Sequence, residues 1–285
     1  MSRSTAPSDA LGAVRRELAS LLDYGRLELP MLPEHAARVV ELAGSERADA
    51  PGLARLIASD QALAARVMKV ARSTAYQPSS PINSLQHAIA WLGLGGVGAI
   101  ACPAAGQGGL LSAAAQRPGP ARLWQVAVAC AIWSREVAAM ARRYSEVTYL
   151  CGLLHDIGKP VALLACSDLA GKLGLRLADE DYDALVHEFH APLGVLLAQR
   201  WRLPEAVAAC IRFWPDPASA PDHGDEVRVV HIAHHVAELV VGQGPEVARE
   251  VILGNGALDL LHIGPDRFRA MIDRSEWVMG QVRAY

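Results

Sequence analysis

The residues of this chain best suited to chemistry stand side by side. His155 and Asp156 close an apolar run, Tyr149-Leu150-Cys151-Gly152-Leu153-Leu154, and are followed by Ile157-Gly158-Lys159-Pro160. Neutral imidazole and carboxylate both ligate divalent ions, and a carboxylate can bridge two ions that activate a water for attack on phosphorus. The pair also has a plainer use at a helix end. There Asp156 can accept hydrogen bonds from a neighbouring helix or pair with Lys159, while His155 bonds a backbone carbonyl. Other donors lie downstream: His190 and His234 could complete a set of three nitrogens and a carboxylate with His155 and Asp156. His231 and His235 are spaced i, i+4, which also suits a shared ion.

The elements that must position these residues read as helices. Leu150, Leu153, Leu154 and Ile157 recur at helical spacing, so the motif closes a buried helix. Gly158 is expected to end it and Pro160 to prevent its continuation. Upstream, a helix ending near Gly25 is followed by the extended Leu29-Pro30-Met31-Leu32-Pro33 and a helix to about Ala43. Asp49, Asp60 and Ser84 are placed to cap three more, and Ser145 to cap the helix that carries the His-Asp pair. Downstream, helices are expected from about Ala121 to Arg143, Asp179 to Arg200 and Glu226 to Val241. Strand-like alternation is absent, so the chain is all-α.

Length allows one large domain or two small ones in 285 residues. A net charge of −3 gives no broad basic surface, which argues against a nucleic-acid partner. The five cysteines, Cys102, Cys130, Cys151, Cys166 and Cys210, form no Cys-x-x-Cys and read as buried free thiols of a reducing cytoplasm. Residues 1–17 read as a disordered lead-in without the apolar core of a signal peptide. Ala88 to Gln116 carries no charge, but its seven glycines and Pro103 favour a buried helix followed by a small-residue loop over a membrane span. Gly93-Leu94-Gly95-Gly96-Val97-Gly98 spells a dinucleotide-binding pattern, yet no strand precedes it and no acidic residue follows at the required distance.

Gly152-Leu153-Leu154-His155-Asp156-Ile157-Gly158-Lys159 resembles the core motif of the HD superfamily of metal-dependent phosphohydrolases. The order of short matches around it is similar to the HDOD domain, the HD-related output domain of bacterial signalling proteins. Those matches are Leu29 to Pro33, Ile57 to Val67, Ala71 to Tyr76 and Ile82 to Gly93. The resemblance covers roughly residues 20 to 280. It implies a two-lobed helical bundle: an N-terminal lobe over 18–105, a Gly/Ala/Pro-rich hinge over 106–120 and an HD-like lobe over 121–285.

The resemblance also implies what a catalytic member would need. The early helix should supply a His, but Trp124-Gln125-Val126-Ala127 places Val126 at that position. A His-His pair should precede a Pro, and this chain has Phe213-Trp214-Pro215. The late Asp is replaced by His234 in Ala233-His234, while His190, before Leu193-Gly194, is retained. The metal set thus reduces to His155, Asp156, His190 and His234, which would serve only if an ion such as manganese, iron, zinc or magnesium is bound. The resulting expectation is a non-catalytic regulatory module, cytoplasmic and without a membrane span, that binds a signalling protein or a small ligand. Two rivals stand beside it: a metal-dependent phosphohydrolase acting on a nucleotide or cyclic dinucleotide, and a nucleotide receptor. In the receptor, Trp124, Phe213 and Trp214 would stack a base, with Lys159 and Arg212 near its phosphate.

Overall fold

The computed structural model describes residues 7–30, 34–43, 50–73, 81–101, 120–143, 146–242, 252 and 257–283. The described residues are helices and connecting turns with no strand among them. The helices are α1 (Pro7–Asp23), α2 (Glu34–Ala43), α3 (Ala50–Ala58), α4 (Gln61–Ala71), α5 (Leu85–Ala101), α6 (Pro120–Met140) and α7 (Glu146–Leu154). They continue as α8 (Gly158–Leu173), α9 (Asp179–Arg200), α10 (Glu205–Phe213), α11 (Gly224–Gly242), α12 (Ala257–Leu260), α13 (Pro265–Ile272) and α14 (Ser275–Val282). Helices α2 to α5 pack on one another as one lobe, and α6 to α11 form the other. Helix α5 also rests on α7, so the first lobe touches the helix that leads into the His-Asp pair.

Local chemistry sets several boundaries. Asp60 Oδ1 accepts the Leu63 amide at 3.0 Å, and Ser84 Oγ accepts that of His87 at 3.1 Å, so both helices begin where their polar caps stand. Asp49 and Ser145, the other two expected caps, lie outside the described residues. Asp181 Oδ2 accepts the Ala178 amide at 2.9 Å and starts α9. Gly174 ends α8 in the left-handed region at φ 66°.

Three expectations change. Residues 7–17 of the expected disordered lead-in belong to α1, because Ala10, Val14 and Leu18 recur four apart and are buried. Helix α1 packs on α8 and α9 of the HD-like lobe, with Arg15 Nε 2.8 Å from Glu188 Oε2. The lobe boundary at residue 18 therefore cuts through a helix. Second, Pro160 does not block a helix: α8 begins at Gly158, and Pro160 sits in its first turn, where a missing amide costs nothing. Third, α5 is broken at Gly93, whose φ 75° and ψ 161° only glycine adopts at little cost.

The glycine pattern beginning at Gly93 is therefore a kink and close helix packing. At Gly98 an added Cβ would lie 3.1 Å from Ala43 Cβ. The expected hinge at 106–120 lies outside the described residues except Pro120, which opens α6; of the uncharged stretch, 102–116 lies outside them too. By composition Val147–Leu173 is apolar enough to cross a membrane, but it breaks into α7 and α8 and is mostly buried against other helices. Cys130, Cys151, Cys166 and Cys210 are buried free thiols, and Cys102 is not among the described residues.

Candidate functional site

The site is built where α7, α8, α10 and α11 meet. Gly152 lets α7 press against α6, since a Cβ there would stand 2.4 Å from Ser134 Oγ and 2.8 Å from the Cys130 carbonyl oxygen. The chain turns through His155, Asp156 and Ile157, and α8 starts at once. Gly158 is then wedged against α9, where an added Cβ would fall 1.7 Å from the His190 carbonyl oxygen. Two glycines thus clamp the motif between neighbouring backbones. From the opposite side, α11 brings His234 and the end of α10 brings Trp214.

His155 is fully buried, and its Nδ1–H donates to the Gly152 carbonyl at 2.7 Å. That bond leaves Nε2 as a bare acceptor, so the contact at 2.8 Å is a bond donated by His234 Nδ1–H. Asp156 Oδ2 takes the Lys159 ammonium at 2.5 Å, while Oδ1 is buried without a partner. Both bonds anticipated from the helix end are present: Asp156 with Lys159, and His155 with a carbonyl. The Trp214 ring packs on His234 at 3.9 Å between centroids and meets His155 edge-on at 5.3 Å.

Burial sets the protonation states. It pushes His155 below its usual range, against the pull of the Asp156 charge. His234 is driven down to about 2, by burial first and then by His155. Burial favours a protonated Asp156, but the surrounding groups, His155 and then Lys159, outweigh it and hold the carboxyl below its usual range. Both imidazoles are neutral near pH 7, so Lys159 is the cation that faces Asp156 there.

The donors were tested against the metal that the HD motif implies. His155 Nε2, His234 Nδ1 and Asp156 Oδ2 form one group, separated by 2.8 Å between the nitrogens and by 3.5 and 4.0 Å from each nitrogen to the oxygen. A point equidistant from the three lies about 2.0 Å from each, which is the bond length of zinc to imidazole nitrogen or carboxylate oxygen. The set fits one ion when His234 gives up its bond to His155 and carries its proton on Nε2, which frees Nδ1 as a ligand. Such an ion would polarise a bound water or a phosphoryl oxygen. No second group of three donors occurs among the described residues, so the set does not fit a pair of ions.

The remaining expected site residues are dispersed. His190 is not brought to the cluster: its Nδ1 lies 3.0 and 2.9 Å from the Val186 and His187 carbonyls of its own helix, and its own carbonyl faces Gly158. Val126 is buried in the core, as a residue without ligand chemistry should be. Phe213 and Trp214 part company, because Trp214 turns inward while Phe213 lines a surface groove with Glu205 and His223. Arg212 lies over the Phe213 ring at 5.4 Å and opens on a cavity of about 400 Å³ walled by α1 and α9. Neither Trp124 nor Lys159 lines that cavity, so the base-and-phosphate arrangement is not assembled. Trp124 is half-buried against the core. His231 donates from Nδ1 to the Trp214 carbonyl at 2.9 Å and meets His235 edge-on at 4.6 Å.

Two features escaped sequence reasoning. Gly158 serves as a spacer between helices; its signal was a glycine inside a motif that continues as helix on its far side. The packing of Trp214 on His234 had no sequence signal, since twenty residues and a turn separate them.

Comparison with known proteins places these observations. A model of the HDOD domain matches residues 29–217. A protein of Treponema pallidum (strain Nichols), described as uncharacterized, is 24% identical over 227 residues. That match takes in 76% of this chain and 44% of the relative, so the chain spans less than half of that protein's length. Among solved structures, an HDOD domain protein of unknown function from Geobacter sulfurreducens is 20% identical with a TM-score of 0.70, covering 98% of this chain and 99% of that one. A protein of Shewanella amazonensis SB2B, provisionally described as a metal-dependent phosphohydrolase, is 22% identical with a TM-score of 0.64, covering 96% and 99%. At these identities the likeness shows a shared fold.

Proposed function

Because this chain belongs to the HDOD domain family, we propose that it is a non-catalytic regulatory module of bacterial signalling, which binds a protein partner or small ligand and relays a change between its lobes. The observation that carries this reading is that Asp156 Oδ2 and both ring nitrogens of His155 already have protein partners, while Asp156 Oδ1 stands without one. Asp156 is taken by Lys159, and His155 by the Gly152 carbonyl and His234. These bonds, with an indole packed on the two imidazoles, join the helices that meet at the pair. The contact of α5 with α7 supports the relay, because it joins the first lobe to the helix that carries the pair.

A second reading, a metal-dependent phosphohydrolase, has the donor triangle in its favour. It lacks donors for a second ion among the described residues, and Trp214 stands against both histidines. A receptor that stacks a base on Trp214 has less support, because His234 covers that ring and Arg212 faces another groove.

The test is turnover. The purified chain is assayed with manganese, iron, zinc or magnesium on nucleotides and cyclic dinucleotides, beside an Asp156→Ala variant. We expect no difference between them. Metal-dependent hydrolysis that disappears in Asp156→Ala sinks the regulatory reading and restores the hydrolase.

A further inference from the structure

Apart from the His-Asp cluster, the molecule has a concavity between α1, α9 and the end of α10 that the reading above leaves unused. Its volume, about 400 Å³, lies in the lower part of the range of small-molecule sites, about 300–1,000 Å³. Leu22 of α1 with Pro192, Val195 and Leu196 of α9 give it an apolar wall, and Asp23 and Arg212 bring a carboxylate and a guanidinium. We propose that this cavity holds a small zwitterion with an aliphatic body, the chemistry of a free amino acid of the leucine type. Asp23 takes its ammonium, Arg212 its carboxylate, and the apolar wall its side chain. The proposal rests on the regulatory reading above and names the class of its small ligand.

Two departures from local sequence preference meet at this cavity. Asp23 is the last residue of α1, whose final turn holds no basic residue, so its carboxylate stands where the helix macrodipole is negative. The next basic residue, Arg26, does not answer it: its guanidinium lies over the Tyr24 ring, 5.8 Å from the centroid. Pro192 is placed inside α9, where it gives up a helical hydrogen bond, and it forms part of the wall. Residues that break a local rule at a cost in stability are expected where a site is shaped.

The two charges are also left over by the rest of the structure. Asp23 and Arg212 line one cavity without an ion pair to each other, and neither pairs with another described residue. Arg212 is steered by Phe213, over whose ring its guanidinium lies at 5.4 Å. A simple anion or cation would meet one of these charges and be repelled by the other; a ligand that carries both signs satisfies both. Guanidinium suits a carboxylate because its fork donates two parallel bonds. Bound there, the ligand ties the end of α1 to α10. The chain after α1 runs to Pro30, whose carbonyl accepts the Trp201 indole N–H at 2.9 Å, and Arg212 is two residues from Trp214, which packs on His234.

The probe is L-leucine, titrated by calorimetry into the full chain with thermal unfolding in parallel. Three controls each remove one feature: 4-methylpentanoate lacks the ammonium, 3-methylbutylamine the carboxylate, and glycine the aliphatic body. Leucine should bind at one per chain and raise Tm as its concentration rises. Each control should bind at least about 10-fold more weakly. Asp23→Asn and Arg212→Gln should each loosen leucine by about 10- to 100-fold while keeping the helical circular dichroism of the unmutated chain. Arg212→Lys, which keeps the charge and loses the fork, should fall between.

No leucine binding at millimolar concentration overturns the proposal, as does binding that both charge-removing substitutions leave untouched. So does 4-methylpentanoate or 3-methylbutylamine binding as tightly as leucine, since the two charges would then recognise nothing. These failures leave the regulatory reading standing with a protein partner, whereas metal-dependent turnover by the unmutated chain defeats that reading whether or not leucine binds, so the two can be told apart.

Discussion

Replacing Gly158 by alanine should unfold this protein more easily, although alanine is the better helix former. Gly158 is the first residue of α8, and a Cβ there would lie 1.7 Å from the His190 carbonyl oxygen, 2.6 Å from its carbon and 3.0 Å from the Gly194 amide nitrogen. All three atoms are backbone, so no rotamer change relieves the clash; α8 and α9 must separate by at least about 1.3 Å in a close-packed interior. Helix propensity favours alanine by at most about 1 kcal/mol. Overpacking that moves backbone costs about 1–3 kcal/mol and sometimes more, and here both helices carry core residues. We expect a net loss of about 3 kcal/mol or more, which for a chain of this size lowers Tm by roughly 6–12 °C.

Gly171→Ala is the matched control. It lies on the same helix, with nothing within 4 Å of its Cβ position, and should gain about 0.5–1 kcal/mol. Thermal and urea unfolding followed by helical circular dichroism reads both variants. A Gly158→Ala protein with the midpoint and slope of the unmutated chain refutes the close approach of α8 to α9.

Gly93→Ala places an L-residue at φ 75° and ψ 161°; it should cost about 1–3 kcal/mol in urea unfolding even though the position has open space around it, and an unchanged midpoint argues against the kink. Leu18→Ala empties a fully buried position of α1 and should cost about 2–5 kcal/mol, whereas an unfolding midpoint that barely moves means α1 is not docked. The histidines make stability depend on pH. His155 and His234 are both held below the ordinary 6.5, so the unfolded chain binds more protons in acid. Stability is then full above about pH 6.5 and falls below it, by up to about 1.4 kcal/mol per pH unit for each histidine. Asp156, also lowered, adds to the loss only below its ordinary 3.8. Urea midpoints between pH 8 and 5 in chelator should show the decline, and His234→Gln should make it shallower; a flat profile contradicts buried neutral imidazoles.

The sequence by itself determined the class of fold and most of its elements, because these are local properties. Helical spacing of apolar residues places α9 at Asp179 to Arg200 with both ends correct, and short polar caps at Asp60 and Ser84 mark their helices. The pairing of Asp156 with Lys159 was equally legible, since three residues across a turn bring side chains together whatever surrounds them. Where polar composition masked the pattern, as in residues 7–17, the four-residue repeat of Ala10, Val14 and Leu18 was present but outweighed.

What only the tertiary structure decided are the distances between segments far apart in the chain. His190 and His234 were equal candidates by residue type, yet α11 delivers His234 to within 2.8 Å of His155 while His190 bonds its own helix. Adjacent Phe213 and Trp214 face a surface groove and the core, because the chain turns where α10 ends. The three-donor triangle, with Lys159 on one of its corners, arises only when helices separated by some eighty residues pack against two glycines. Spacing along a chain sets which side chains share a helix face; close packing between helices decides which atoms meet.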